Sequence, residues 1–304
     1  MAEGQVQVPV ALLIFNRPDT TARVFETIRQ ARPPKLLVVA DGPRPDHPGE
    51  AEKCAMTRAI IDRVDWECEV LKNYSAANLG CKRRVSSGLD WVFEMIEEAI
   101  VLEDDCLPHP VFFRFTEKLL ERYRNDERVM HISGDNFQSG LKRGEASYYF
   151  SRYAHVWGWG SWRRAWQHYD VEMKQWASAN DRAVYLRTFE SRAEREFWTR
   201  AWQGVCAGKI DTWDYQWIFA CVARDGLAIV PQVNLVSNIG FGMVSTHTSG
   251  PSAVANLPTS ALTFPLHPPR QFSRDVEADE YTSRLFFRRP GIAHRIFNRI
   301  RRVN

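Results

Sequence analysis

The sequence predicts an α/β protein with a mostly parallel open sheet flanked by helices and an aromatic-rich second half. Three observations lead there. Val8 to Phe15, Lys35 to Ala40 and Ile100 to Leu102 are continuous apolar runs, the pattern of strands buried on both faces. Stretches with apolar residues at the 3.6-residue spacing of a helix separate them. Each apolar run also stops at a polar tip: Asn16-Arg17, Asp41-Gly42 and Glu103-Asp104-Asp105. In open parallel sheets ligands bind beyond the carboxyl ends of the strands, so these tips face a binding crevice.

Taken in order, the first strand is followed by Pro18 and Asp19, which suit the first turn of a helix carrying Val24, Phe25 and Ile28 inward. The second strand ends at Asp41-Gly42, and Pro43 to Gly49 is Pro-rich and polar, the composition of a surface loop. A helix over Ala51 to Val64 carries Ala55, Ile60 and Ile61, and Glu67 to Tyr74 is a short strand. After Asn78-Leu79-Gly80 and the basic turn Lys82-Arg83-Arg84, a helix places Val85, Leu89, Val92 and Ile96 on one face and delivers the chain to the acidic strand end. Cys106 to Pro110 breaks the chain before a helix that runs to about Arg124, and Val129 to Ser133 is the next strand, ending at Gly134-Asp135-Asn136.

The texture then changes. Nine of the eleven tryptophans lie between Trp157 and Trp217, and Trp157-Gly158-Trp159-Gly160-Ser161-Trp162 opens that region. Aromatics in such numbers usually make core. A Gly-interleaved loop presenting indole faces would also suit sugar rings, which assigns Trp159 and Trp213 to an acceptor site, and Asp135 is placed with them. Asp211 to Trp217 reads as a helix start, with Asp211 or Thr212 at the cap and Asp214 in the first turn. Ala228 to Val236 is strand-like, and Gly250 to Pro269 looks like a peripheral arm. Residues 1–250 are expected to form one catalytic domain, with a nucleotide-binding half to 136 and an acceptor half beyond it, and 251–304 an arm plus a C-terminal helix.

Composition narrows the function classes. Apolar content of 44% with 25% charged residues describes a globular enzyme rather than a disordered chain. A net charge of +3 over 304 residues gives no nucleic-acid footprint. The six cysteines show no metal-ligand spacing and read as reduced thiols. No run approaches the roughly 20 apolar residues of a spanning helix, so a cytoplasmic location is expected. Ile292, Ile296, Ile300 and Val303 form an apolar stripe beside Arg295, Arg299 and Arg302. That stripe suits packing on the domain or peripheral attachment to the inner membrane face.

Three adjacent acids at a strand end repel one another unless a cation or a donor-rich ligand relieves them. They are hard oxygen ligands suited to Mg²⁺ or Mn²⁺, which commonly take one or two carboxylates and fill the remaining positions with phosphate oxygens and water. A solvated turn is the alternative. No GxxxxGK[ST] or GxGxxG loop follows any strand, which disfavours ATP-type phosphate cradles and dinucleotide folds.

Phe15-Asn16-Arg17-Pro18, Asp41-Gly42, Asn78-Leu79-Gly80, and Glu103-Asp104-Asp105 followed by Pro-x-Pro and a Phe-rich helix occur in the order found in GT-A-fold glycosyltransferases. Over roughly its first 135 residues the chain resembles that group, particularly family-two enzymes and protein-glycan N-acetylglucosaminyltransferases. The resemblance implies a GT-A-like fold and a nucleoside-diphosphate sugar donor, UDP being the commonest carrier. The acceptor would be a glycan, a lipid-linked saccharide or a protein. It implies that Asp105 holds the metal and that Glu103 and Asp104 contact ribose or base. Phe15, Asn16, Arg17, Asp41 and Asn78 would line the nucleotide pocket, and Arg84 would approach the base or a phosphate. It also implies that His247 closes over the diphosphate and metal, and that an acid on a later helix is the general base of an inverting transfer. Asp214 is the first candidate for that base, ahead of Asp211 and Asp135, with a helix-dipole role for Asp214 as the alternative. A sugar-phosphate nucleotidyltransferase would share the fold class, but it needs a Gly-rich basic loop after the first strand. A non-catalytic glycan-binding protein would use the tryptophans and leave the acidic strand end unexplained.

Overall fold

The structure, a computed structural model, describes residues 5–241 and 254–287. Strand and helix alternate through the first half: β1 (Val10–Ile14), α1 (Pro18–Ala31), β2 (Lys35–Ala40), α2 (Glu50–Ala59), β3 (Glu69–Tyr74), α3 (Gly80–Met95), β4 (Glu98–Glu103), β5 (Cys106–Pro108), α4 (Val111–Tyr123) and β6 (Val129–Ser133). The second half adds β7 (Tyr148–Ser151), β8 (Trp159–Trp162), α5 (Arg163–Trp166), α6 (Lys174–Ser178), α7 (Ala183–Leu186), α8 (Arg192–Cys206), α9 (Asp214–Ala223), β9 (Leu227–Pro231), β10 (Val236–Asn238) and α10 (Val276–Phe286). The helices start where the chemistry favours it. Pro18 opens α1 with Asp19 in its first turn. Ser191 and Asp275 cap α8 and α10 by accepting the N–H groups of Glu194 and Ala278.

One eight-stranded sheet runs β3-β2-β1-β4-β8-β6-β9-β7. The first four strands are mutually parallel, so the tips after β1, β2 and β4 lie along one edge. β8 enters antiparallel between β4 and β6, and β7 closes the far side antiparallel to β9. Gly160 makes the central insertion possible. A Cβ there would lie 2.4 Å from Thr116 Cγ2, so α4 packs directly on the strand. The predicted fold class, a mostly parallel open sheet flanked by helices, is what the structure contains.

The two faces of the sheet carry separate cores. α1 and α4 bury Val24, Phe25, Phe112, Phe115 and Leu119 against one face, while Leu89 and Val92 of α3 join Trp159, Trp166 and Trp217 against the other. A third cluster, with Trp176, Phe189, Trp198 and Trp202, joins α6, α8 and α9.

Several sequence expectations change here. The Trp157 to Trp162 segment is not a sugar-binding loop, since four of its six residues form β8. Residues three apart on a strand face opposite sides, so Trp159 enters one core and Trp162 the other. Trp159 is fully buried, stacked on His131 at 5.1 Å and Trp213 at 5.8 Å, and presents no face to an acceptor. On α2 the inward residues are Cys54 and Thr57, Ala55 being exposed, and Ile60 and Ile61 belong to a following 3₁₀ turn. Cys106 to Pro108 is not a simple break. It forms a two-stranded ribbon with β10.

The stretch beyond residue 254 lies against the first core through Leu262, Phe264, Leu266 and Phe272. It leads to α10, which the sequence reading did not single out. Among the described residues no helix is long and apolar enough to cross a membrane. The basic C-terminal stripe lies outside the described residues.

Candidate functional site

The ends of β1, β2 and β4 form the floor of a cleft of about 540 Å³, inside the roughly 300–1,000 Å³ range of small-molecule sites. The start of α3, the segment Asp211–Asp214 and the turn after β10 supply its walls. Of the sequence-predicted residues, Phe15, Arg17, Asp41, Asn78, Arg84, Glu103, Asp104, Asp105, Asp211, Trp213 and Asp214 line it together. Asn16, Asp135 and Trp159 are absent from that lining. His247 lies outside the described residues.

The acidic triplet sits where the parallel register ends, with Glu103 opposite Leu13 of β1. Asp104 Oδ2 accepts the Phe15 backbone N–H at 3.0 Å. Arg17 bridges the next two acids: its Nη1 is 3.4 Å from Asp104 Oδ1 and donates a short hydrogen bond to Asp105 Oδ2. The Asp105 carbonyl accepts the Ile239 N–H at 2.8 Å, drawing the turn after β10 over the triplet. Gly240 is required in that turn, because an added Cβ would lie 2.0 Å from Asp105 Oδ2. Burial, followed by repulsion from Asp105, pushes the Glu103 and Asp104 carboxyls up to about 8 and about 7, and Arg17 only partly offsets this. Glu103 is half-buried and Asp104 buried. Burial alone would lower the Arg17 guanidinium, but Asp104 and Asp105 outweigh it and hold its pKa above the ordinary value.

Asp104 and Asp105 are a donor set that fits a hard divalent cation completed by phosphate oxygens and water. Among the described residues no three His, Cys, Asp or Glu side chains converge as a ready-made metal cage.

Around the triplet several polar residues hold the cleft's shape. Asp41 Oδ1 accepts from Gly42 and Leu79, and Oδ2 from Gly80, at 2.9–3.1 Å, tying the end of β2 to the start of α3. Burial still raises its pKa, because desolvation exceeds what those three N–H groups return. Asn78 donates to the Gly42 carbonyl at 2.9 Å. Arg84 is buried and donates to the Ala40 and Asn73 carbonyls, so much of its donor capacity pins β2 to β3. Asn16 turns away from the cleft to Glu50 at 2.9 Å. Glu50 is also gripped by Arg44, whose guanidinium lies 5.8 Å over the Phe15 ring.

On the opposite wall Asp214 is half-buried at the first position of α9 and accepts a short hydrogen bond from Thr212 Oγ1. It is close enough to Glu103 to contribute to that group's raised pKa. Neither Asp211 nor Thr212 caps α9; the N-cap position falls on Trp213, without a side-chain bond. Asp211 is exposed and instead accepts the Lys82 N–H at 3.1 Å, serving the first turn of α3. Trp213 borders the cleft but is 3% exposed, so it offers an edge rather than a stacking face. Asp135 corrects an expectation outright. It is buried, its oxygens make no hydrogen bond of ordinary geometry among the described residues, and burial holds its carboxyl well above the usual range. A group so enclosed cannot meet an acceptor.

Sequence reasoning missed Arg44, Cys81, Trp157, Asn238, Gly240 and Phe241 in the lining. Arg44 stands directly after the Asp41-Gly42 tip, in a loop dismissed for its prolines. Trp157 meets Phe241 edge-on at 5.4 Å, and no local pattern joins residues so far apart.

No protein-family model matches the chain, and no curated protein matches it. Among solved structures, 4-diphosphocytidyl-2C-methyl-D-erythritol synthase from Anaerococcus prevotii is similar at 11% identity, over 62% of this chain and 85% of that one, with a TM-score of 0.34. The inositol-1-phosphate CTP transferase from T. maritima is similar at 9% identity over 74% and 86%, with a TM-score of 0.38. UDP-glucose pyrophosphorylase complexed with UDP-glucose is similar at 10% identity over 74% and 90%, with a TM-score of 0.34.

Proposed function

We propose that the protein is a transferase that takes a nucleotide sugar in this cleft. More finely, we read it as a Mn²⁺- or Mg²⁺-dependent, inverting glycosyltransferase that moves the sugar from a UDP-linked donor to a hydroxyl of a glycan, lipid-linked saccharide or protein. The observation that carries the reading is the meeting of two acidic elements across one cleft: the triplet at the end of β4 and Asp214 at the start of α9. In such a transfer Asp214 accepts the proton of the acceptor hydroxyl as that oxygen bonds to the anomeric carbon, and the bond from that carbon to the diphosphate oxygen breaks. Asp104 and Asp105 would hold the cation, which supplies charge stabilisation for the departing diphosphate. The guanidinium of Arg17 stands beside them as a donor for phosphate oxygens.

The competing reading is a sugar-phosphate nucleotidyltransferase, the class to which the CTP transferase and the pyrophosphorylase belong by name. TM-scores below 0.4 do not discriminate between the two chemistries. The turn after β1, Phe15-Asn16-Arg17-Pro18, supplies no glycine-rich phosphate cradle. The glycan-binding reading loses its motive, since most of the tryptophans that suggested it are core.

Calorimetric titration with UDP, with Mn²⁺ and then with EDTA, tests the donor site. Binding should require both the metal and Asp105, and vanish in Asp105→Ala. With a donor and acceptor in hand, Asp214→Asn should lower turnover by about 10²–10⁴-fold while leaving UDP affinity near wild type. Release of pyrophosphate from UTP and a sugar phosphate would instead establish the nucleotidyltransferase.

A further inference from the structure

We propose that Arg17 is a built-in counter-cation of the acidic triplet, which competes with the divalent ion for Asp104 and Asp105 and yields them when a diphosphate offers its guanidinium another partner. The proposal rests on the reading of the cleft as a metal-and-nucleotide site.

Position is the first support. Arg17 is the residue before α1, three residues beyond the end of β1, and Pro18 fixes the chain direction after it. Its guanidinium therefore reaches sideways to the neighbouring strand end, where Nη1 addresses Asp104 Oδ1 and Asp105 Oδ2 together. Those are oxygens a cation would need. The pairing is sheltered, with the side chains of Arg17, Asp104 and Asp105 at 24%, 9% and 12% exposure, so solvent screens it little.

Charge is the second. One guanidinium is shared between the carboxyl groups of Asp104 and Asp105, so a single positive charge stands against two acids, an arrangement that favours a divalent ion. Yet an ion placed on the same oxygens meets a fixed positive charge, and arginine cannot shed its proton to make room. It must move. Leaving for water forfeits sheltered, charge-assisted bonds, whereas leaving for a diphosphate replaces them with equivalent ones in the fork geometry that guanidinium and phosphate share. Metal and diphosphate should then bind with positive coupling, each raising the affinity of the other by the same factor.

The test measures Mn²⁺ binding to the full chain by the loss of the free-ion electron paramagnetic resonance signal, with and without UDP, in wild type, Arg17→Gln, Arg17→Lys and Asp105→Asn. Removing the internal competitor should tighten Mn²⁺ binding in Arg17→Gln about tenfold or more without UDP, and should shrink the enhancement that UDP produces. Arg17→Lys should fall between the two, and Asp105→Asn should abolish binding. Near-ultraviolet circular dichroism verifies folding. Should Arg17→Gln not fold, the lysine variant carries the same comparison. Wild-type binding of Mn²⁺ and UDP through Asp105, with no tightening in the folded Arg17 variants, overturns the competition and leaves the proposed function standing. Absence of Mn²⁺ binding in every protein, with or without UDP, overturns both.

Discussion

Two buried arginine–carboxylate clusters in this molecule invite comparison. At α10, the fully buried Asp279 accepts from Ser151 Oγ at 2.6 Å, Arg152 Nε at 3.2 Å and Arg274 Nη1 at 3.2 Å. Glu190 pairs with the outer ends of both arginines. Two acids thus meet two arginines, and the cluster joins α10 to β7 with its charges matched. At the cleft, three acids meet one arginine, and Glu103 and Asp104 are pushed toward their neutral forms. Burial raises the Asp279 carboxyl too, but there Ser151, Arg152 and Arg274 all pull against it, and the matched cluster accounts for itself as a fastening. The mismatched one raises the energy of its own fold, which is intelligible where a ligand completes it.

The largest expected effect lies in the matched cluster. Asp279→Ala removes the buried partner of Arg152 and Arg274, leaving them only the exposed Glu190 as a carboxylate, and should cost about 3–5 kcal/mol in chemical denaturation. A loss under about 1 kcal/mol would show that the fastening is dispensable. The next effect is pH dependence at the cleft. The folded-state pKa values of Glu103 and Asp104 stand above their ordinary values of 4.5 and 3.8. The folded state therefore holds more protons than the unfolded one between about pH 4 and pH 8, and stability falls as pH rises through that window. Allowing for the partial exposure of Glu103, the metal-free protein should lose about 1–2 kcal/mol from these two groups between pH 5 and pH 8. A stability that rises over that interval in the wild type, with the same slope in Asp104→Asn, would remove the mismatch argument. Smallest is the substitution itself. Asp104→Asn relieves one repulsion and weakens one ion pair, so stability at pH 7 should change by no more than about 1 kcal/mol, with a flatter pH slope.

The first half was legible because β1, β2 and β4 are parallel and buried on both faces, which writes an uninterrupted apolar run into the chain, and because each run ends in a polar or charged tip. Glu103-Asp104-Asp105 announced itself in that way. The second half hid for the opposite reason. β7 and β8 are four residues long, built as Tyr-Tyr-Phe-Ser and Trp-Gly-Ser-Trp, and neither period nor length separates such pieces from an aromatic loop. Trp159 was misread for this cause: its burial is decided by strand partners 58 and 26 residues upstream. Asp279 sent no signal either, because an acid on a short polar helix looks solvated until its distant partners are known. Asp214 stood between these extremes, its helix position legible and its place opposite the triplet not.

The antiparallel β8 has one more consequence. β4 and β6 reach each other only through it, each pairing with β8 and not with the other. A nascent chain emerging from the ribosome therefore cannot close its sheet when the first 136 residues are out. The inner edge of β4, with Ile100 and Val101, stays bare until residues 159–162 arrive, and a bare apolar edge is a template for aggregation. The first 136 residues cannot be cut away as a module. Its last structural wall is laid by the half that follows it.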